Sequence, residues 1–314
     1  MPSQRKQAVA VKSLKVKLRR NMKLEQAAHE ILANCLEQIQ GNQSAIKTGA
    51  DPDCVRQMHI GLRRLRSALK LFNNSFLLPV KLQAELDYVS EKLGAARDWQ
   101  VFSGSTLVVI EAIAPEEVKL PSLQQAAMII ASKKQKEIYT SMKSRRSARL
   151  MSALSAWLKK PQIPETDESF KHKKSTTKLP LFAKKILSHQ QKNLIKRGKE
   201  LFKTKADTNP QANHKFRIAI KKVRYSCEFF ENFFRKKGMH AYISSLSALQ
   251  DILGNINDGA VAVRLLGEIA QQQDNHISDC SFALGYLLSQ SQLNQQELRS
   301  LWKQFKDIHL PNLK

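Results

Sequence analysis

One seventeen-residue stretch occurs twice in this chain, and that repeat constrains the fold more than any other feature. RQMHIGLRRLRSALKLF from Arg56 aligns without a gap on HKFRIAIKKVRYSCEFF from His214. On a helix of 3.6 residues per turn, positions 0, 3, 7, 10 and 14 of the stretch share a sector of roughly 80°. These are Arg56, His59, Arg63, Arg66 and Lys70 in the first copy, and His214, Arg217, Lys221, Arg224 and Glu228 in the second. The opposite stripe is apolar in both: Met58, Leu62, Leu65, Leu69, Phe72 and Phe76, then Phe216, Ile220, Val223, Cys227, Phe230 and Phe234. Each copy is therefore a helix with one face for a core and one cationic face. A row of four such groups spans about 15 Å at about 1.5 Å per residue, which suits an extended anion better than a single phosphate.

A second correspondence follows each copy: KLGAARDWQVF at Lys92 matches ILGNINDGAVA at Ile252. Gly94 and Gly254 are expected to allow a helix end or a close helix contact, with Asp98 and Asp258 as N-caps. A carboxylate that orients a neighbouring Arg or Lys is the alternative. The chain thus reads as a duplicated helical unit.

Charge gives the repeat a partner. The chain carries 52 Lys and Arg against 27 Asp and Glu, a formal charge of +25. Residues 1–160 hold 27 basic and 13 acidic side chains (+14), leaving 25 and 14 (+11) for 161–314, so neither half is merely a basic tail. With 42% hydrophobic residues the chain is globular, not a disordered coat for nucleic acid. Such an excess persists most easily where a polyanion, an anionic surface or an acidic partner offsets it.

Helical periodicity covers roughly 24–40, 51–76, 80–93, 97–113, 119–159, 180–204, 210–236, 238–252, 257–272, 276–290 and 294–306, with Gly41 and Asn42 ending the first helix and Asp51 and Pro52 opening the second. The polar stretch 161–179, with two prolines, reads as a linker. The expected organisation is a basic segment 1–22, a first helical half 23–160, the linker, and a second half 180–308. No apolar run reaches the roughly 20 residues that span a bilayer, and no apolar segment of the signal-peptide kind follows the basic N-terminus, so the reading is a cytoplasmic protein without membrane partners. Cys35, Cys54, Cys227 and Cys280 are scattered, which argues against a zinc site and a disulfide framework.

The repeated motif, HxxRxxx(R/K)(R/K)xR followed about 30 residues on by LGxxxD, resembles the CHAD domain, the conserved histidine α-helical domain that binds inorganic polyphosphate. The resemblance runs from about Leu24 to Phe305. His214, Arg217, Lys221, Lys222, Arg224 and Tyr225 match the second motif throughout, and Arg63, Arg64, Leu65 and Arg66 match the first, after a familiar DPDCV. Arg56 and His59 stand in exchanged order relative to the family pattern. His59 still shares the face, and an imidazole near its ordinary value of about 6.5 would gain charge beside an anion.

The resemblance implies an all-α fold of two pseudo-twofold-related helical bundles from an internal duplication, with the motif helices facing a basic central groove or pore. Each motif helix is expected to bury its apolar stripe within its own bundle. The implied ligand is polyphosphate, bound by Arg56, His59, Arg63, Arg64, Arg66, Lys70, His214, Arg217, Lys221, Lys222, Arg224 and Tyr225. Arg19, Arg20 and Lys23, then Arg145, Arg146 and Arg149, then Lys184, Lys185, Lys192 and Lys196 are candidates to extend the track. Arg suits phosphate through forked donors and Lys as a point charge.

Catalytic motifs are lacking: the sequence has no P-loop, no HExxH and no GxSxG nucleophile, so the expectation is a binding protein without cofactor or metal. Asp98, Asp258 and Glu228 could in principle hold a divalent ion beside phosphates, but three scattered acids are weak evidence for one. Granule-associated proteins are the expected further partners, at polyphosphate granules. The rival readings are a nucleic-acid-binding protein, for which no helix-turn-helix, zinc finger or aromatic platform appears, and an enzyme of polyphosphate turnover.

Overall fold

The computed structural model describes residues 9–48, 53–73, 76–118, 120–160, 178–203, 210–271 and 277–314. The chain is helical through most of these, the main non-helical stretches being 9–23, 76–79, 112–118 and 306–314, and an isolated antiparallel bridge pairs Phe234 with Leu313. In order, the helices are α1 (Leu24–Thr48), α2 (Asp53–Leu71), α3 (Val80–Val101), α4 (Leu107–Glu111), α5 (Leu120–Lys143), α6 (Arg145–Lys159), α7 (Leu179–Phe202), α8 (Pro210–Phe230), α9 (Lys236–Ala270) and α10 (Ile277–Phe305). A π-helical turn, Phe102–Thr106, joins α3 to α4, and a short 3₁₀ turn, Glu231–Phe233, precedes α9. No helix among the described residues is long and apolar enough to cross a membrane.

Helix ends follow local chemistry. Ser144 divides the single expected helix 119–159, because its side chain accepts a hydrogen bond from the Ser147 amide at 3.2 Å and caps α6. A proline in the first turn of α7 removes an amide that needs no partner there. The expected opening of α2 at Asp51 and Pro52, and most of the linker, lie outside the described residues.

Several expected helix ends are absent. Gly41 and Asn42 lie inside α1, where the N-terminal segment crosses it: a side-chain carbon on Gly41 would come within 2.9 Å of Val11, and the Asn42 side chain bonds both the amide and the carbonyl of Val11. The glycine thus admits a crossing segment instead of stopping the helix. Gly94 and Gly254 are likewise interior to α3 and α9, so Asp98 and Asp258 are not N-caps. Continuous apolar contact carries α9 through the glycine, with Leu249, Ile252, Leu253, Ala262, Leu265 and Leu266 all buried, and outweighs a glycine penalty of about 1 kcal/mol.

Both apolar stripes are buried as the pattern requires; Met58, Phe216, Ile220 and Val223 are fully enclosed. They do not close off separate bundles, however. A large core gathers residues from Leu18 to Phe305, with Phe72 against Phe182 and Phe230 at ring distances of 6.3 and 6.5 Å. A smaller core joins the end of α3, α4 and the start of α5 to the end of α9 and the start of α10. Burial shared across the halves ties α2 to α8 and α3 to α9, and these four helices carry the candidate site.

A cationic cluster on four helices

Within each half, the motif helix and the LGxxxD helix run antiparallel in a constant register. Arg66 of α2 donates to the Leu86 carbonyl and to Asp87 of α3, while His59 sits over Gly94, where an added side-chain carbon would meet Cε1 at 3.8 Å. In the second half Arg224 Nε donates to Gln250 Oε1 at 2.9 Å, and Arg217 Nη1 donates to Asn257 Oδ1 at 2.8 Å. Asn257 in turn donates to Asp258 at 3.3 Å.

Between the halves the charges act on one another. Burial first, then the positive charges of Arg63, Lys221, Arg66 and Arg217, push the His59 imidazole down to about 3. Burial and then Arg63 and Arg217 hold the Lys221 ammonium down at about 7, with Asp258 opposing and Arg224 adding to the depression. Arg217 is lowered by burial and Arg63, against Asp258 and Asp98. Arg97 is lowered by burial and Arg56, against Asp258, Asp53 and Asp98. Asp98 is raised by burial despite Arg264, whose guanidinium lies 3.8 Å away. His59 is thus neutral at pH 7, not the group near its ordinary value that the sequence suggests.

Four buried polar atoms of this cluster lack a hydrogen-bond partner among the described residues: His59 Nδ1, Arg63 Nε, Arg217 Nε and the Tyr225 hydroxyl. Leaving such a group unsatisfied costs about 1–3 kcal/mol, more for a charged one. The cluster therefore combines like-charge repulsion with unsatisfied donors, and an anion relieves both.

The remaining expected site residues divide clearly. Arg56 is exposed and pairs with Asp53 at 2.8 Å; Lys70 and His214 are exposed, and Lys222 is half-buried. Tyr225 is buried beneath the Arg224 guanidinium, 4.9 Å from the ring centre. Arg64 departs from expectation. Only 3% exposed, it turns away from the row to donate to Gln38 and Asn34 of α1 at 2.8 and 3.0 Å, with Phe229 under its guanidinium. Its position in the motif falls about 80° outside the cationic sector, because 800° of rotation returns it to the flank.

The outlying candidates are not gathered into the cluster. Arg20 donates to the Lys314 carbonyl at 2.7 Å, and Arg146 makes a forked pair with Glu85 while stacking on Tyr88. Arg19, Lys23, Arg145, Arg149, Lys184, Lys185, Lys192 and Lys196 are exposed, the last near Glu200 at 4.0 Å. Conversely, the sequence reading passed over Arg97, Asn257 and Arg264. The available signal was the residue directly before the aspartate of LGxxxD, Arg97 in one copy and Asn257 in the other.

The cysteines are separate and buried, and burial pushes the Cys35 thiol up to about 12. Among the described residues no group of three or more His, Cys, Asp or Glu could hold a metal ion.

An all-helical protein whose two halves share their cores around a cluster of half-buried cations is the class these observations define. The CHAD domain family model matches residues 30–267, and the chain belongs to that family. The crystal structure of the CHAD domain from the plant Ricinus communis superposes with a TM-score of 0.84 at 35% identity, covering 98% of this chain and 99% of that one. PptA from Streptomyces chartreusis shares the fold, with a TM-score of 0.66 at 13% identity over 90% of this chain and 99% of that one. No curated protein matches in sequence.

Proposed function

We propose that this protein binds inorganic polyphosphate without turning it over. On this reading its halves are copies of one helical unit about a pseudo-twofold axis, and their motif helices line a basic central groove or pore. The observation that carries the reading is the cluster itself: His59, Arg63, Arg217 and Tyr225 hold buried polar atoms that have no partner among the described residues, beside a lysine whose ammonium is destabilised by burial and by its neighbours. A linear anion supplies acceptors to the donors and negative charge to the cations along the row, and needs no base-reading or stacking surface. Ligand binding then stabilises the folded chain, because only the folded chain assembles the row. Binding without turnover fits the state of the nearest carboxylates. Asp98 and Asp258 lie among Arg97, Arg217 and Arg264 and are positioned to orient cations. Cytoplasmic residence at polyphosphate granules, among other granule proteins, is the setting this ligand implies.

Competition at fixed ionic strength tests the proposal. Labelled polyphosphate is bound to the full chain and challenged with duplex DNA at equal charge concentration. We expect DNA to displace it poorly and the affinity to fall steeply with salt through counterion release. Equal displacement by DNA would replace this reading with nucleic-acid binding. Steady release of orthophosphate, lost on changing Asp98 or Asp258, would replace it with catalysis.

A further inference from the structure

Position 3 of the repeated helix is His59 in the first half and Arg217 in the second, and the residue before the LGxxxD aspartate is Arg97 in the first and Asn257 in the second. The two differences are opposite in sense. Where the motif helix offers arginine, the facing helix offers a neutral amide that accepts from it at 2.8 Å. Where the motif helix offers an imidazole that stops against Gly94, the facing helix carries an arginine one turn further on. Arg97 and Arg217 also share their surroundings, since both are half-buried and both feel Asp98 and Asp258. Of hydrogen bonds to side chains, Arg97 shows one from Nη1 to Gln100 on its own helix, at 3.1 Å. Nothing in that bond requires an arginine to be half-buried beside Arg56, which opposes its charge, in the surroundings of Asp98 and Asp258.

We propose that Arg97 is an anion-binding residue of the cluster, the first half's counterpart of Arg217, so that each half delivers one guanidinium to the surroundings of Asp98 and Asp258 from a different helix. The exchange of Arg56 and His59 then costs the site nothing at position 3, because the missing guanidinium arrives from α3. This inference rests on the polyphosphate reading and adds a residue that the repeated basic motif does not contain. Its chemistry is that of Arg217: a forked donor for phosphate oxygens, held near carboxylates that set its direction.

The test uses the full chain and polyphosphate of one defined length at constant ionic strength, read by anisotropy. Arg97→Asn is expected to weaken binding about tenfold or more, the loss typical of a charge-assisted hydrogen bond, and to make the salt dependence shallower by about one unit. Arg217→Asn should match it. The decisive variant is the exchange His59→Arg with Arg97→Asn, which gives the first half the second half's pattern and is expected to bind within about threefold of the parent. Lys237→Asn, an exposed lysine at the start of α9, serves as the comparison and should bind like the parent.

Parent binding with Arg97→Asn indistinguishable from Lys237→Asn would overturn the assignment and leave the polyphosphate reading standing. An exchange variant no tighter than Arg97→Asn would overturn the compensation. Absence of polyphosphate binding by the parent would instead remove the reading on which both rest. Should Arg97→Asn lose its helical circular dichroism, Arg97→Lys decides: binding weakened threefold or more supports the forked contact, and unchanged binding overturns it.

Discussion

The two motif helices share one pattern and use it differently. At the eighth step after the motif's first residue, α2 carries Arg64, buried against α1 and Phe229, whereas α8 carries Lys222, half-buried on its own flank. At the end of the row α2 carries the exposed Lys70, whereas α8 carries Glu228, which pairs with Arg224 and is raised by burial. The first copy thus spends one of its cations on joining helices, and the second places an acid within its row. A cationic motif that occurs twice need not play the same role twice. Arg64 lies outside the sector and is turned to α1, and even within the sector Lys70 at the end of the row stays exposed.

The largest effect should come from reversing the row in the second copy. Arg217→Glu with Lys221→Glu is expected to weaken polyphosphate binding by about three orders of magnitude or more, because two charge-assisted contacts are replaced by repulsion. Helical content should hold, since both side chains lie off the apolar stripe. Comparable binding by this variant, measured by anisotropy, would remove the cluster as the site.

The Arg64 and Lys222 pair tests the division itself. Losing a hydrogen bond to a charged group costs about 1.5–3 kcal/mol, so Arg64→Ala, which leaves Gln38 and Asn34 without their donor, should lower stability to urea by about 3 kcal/mol. Lys222→Ala should cost less than about 0.5 kcal/mol, as surface substitutions do. Equal losses would mean that the two positions are equivalent after all.

A third expectation concerns pH. Lys221, faced by Arg63, Arg217, Arg224 and Asp258, is held down at about 7 in the free protein, so at pH 8 it is mostly neutral. An anion restores its charge, and binding then takes up a proton. Affinity should be greatest below about pH 7 and fall by up to about tenfold per unit above it, until the pKa of the bound state is passed. Lys221→Met should flatten the profile; a profile unchanged by that substitution would show that another group titrates.

These cases also show what the sequence carries. Helicity, the two buried stripes and the five-position cationic face are legible because each follows from a fixed period. The continuity of α9 through Gly254 is not, since local propensity marks a glycine while packing of Leu253 and Leu265 on distant helices decides. Arg64 was readable as off-sector from its angle alone. The depression of His59 was not, because its burial, the largest cause, arises only in the fold, as does the approach of Lys221 and Arg217 from more than 150 residues away along the chain.

The smallest effect should follow from exchanging Arg56 and His59, by Arg56→His with His59→Arg. The exchange moves a guanidinium one turn along α2, about 4.5 Å at about 1.5 Å per residue. That is shorter than the Debye length of about 8 Å at physiological salt, so a bound polyanion registers the same total charge. Arg97 is already assigned as the guanidinium of the first half, and the new arginine would sit beside Arg63 in an already crowded group. The lost ion pair with Asp53 is exposed and contributes at most about 1 kcal/mol. We therefore expect polyphosphate affinity within about threefold of the parent at pH 8, where both histidines are neutral. A tenfold change in either direction would show that the order of the two residues is itself recognised, and that the first half binds through contacts specific to position 3, not through the charge of its face.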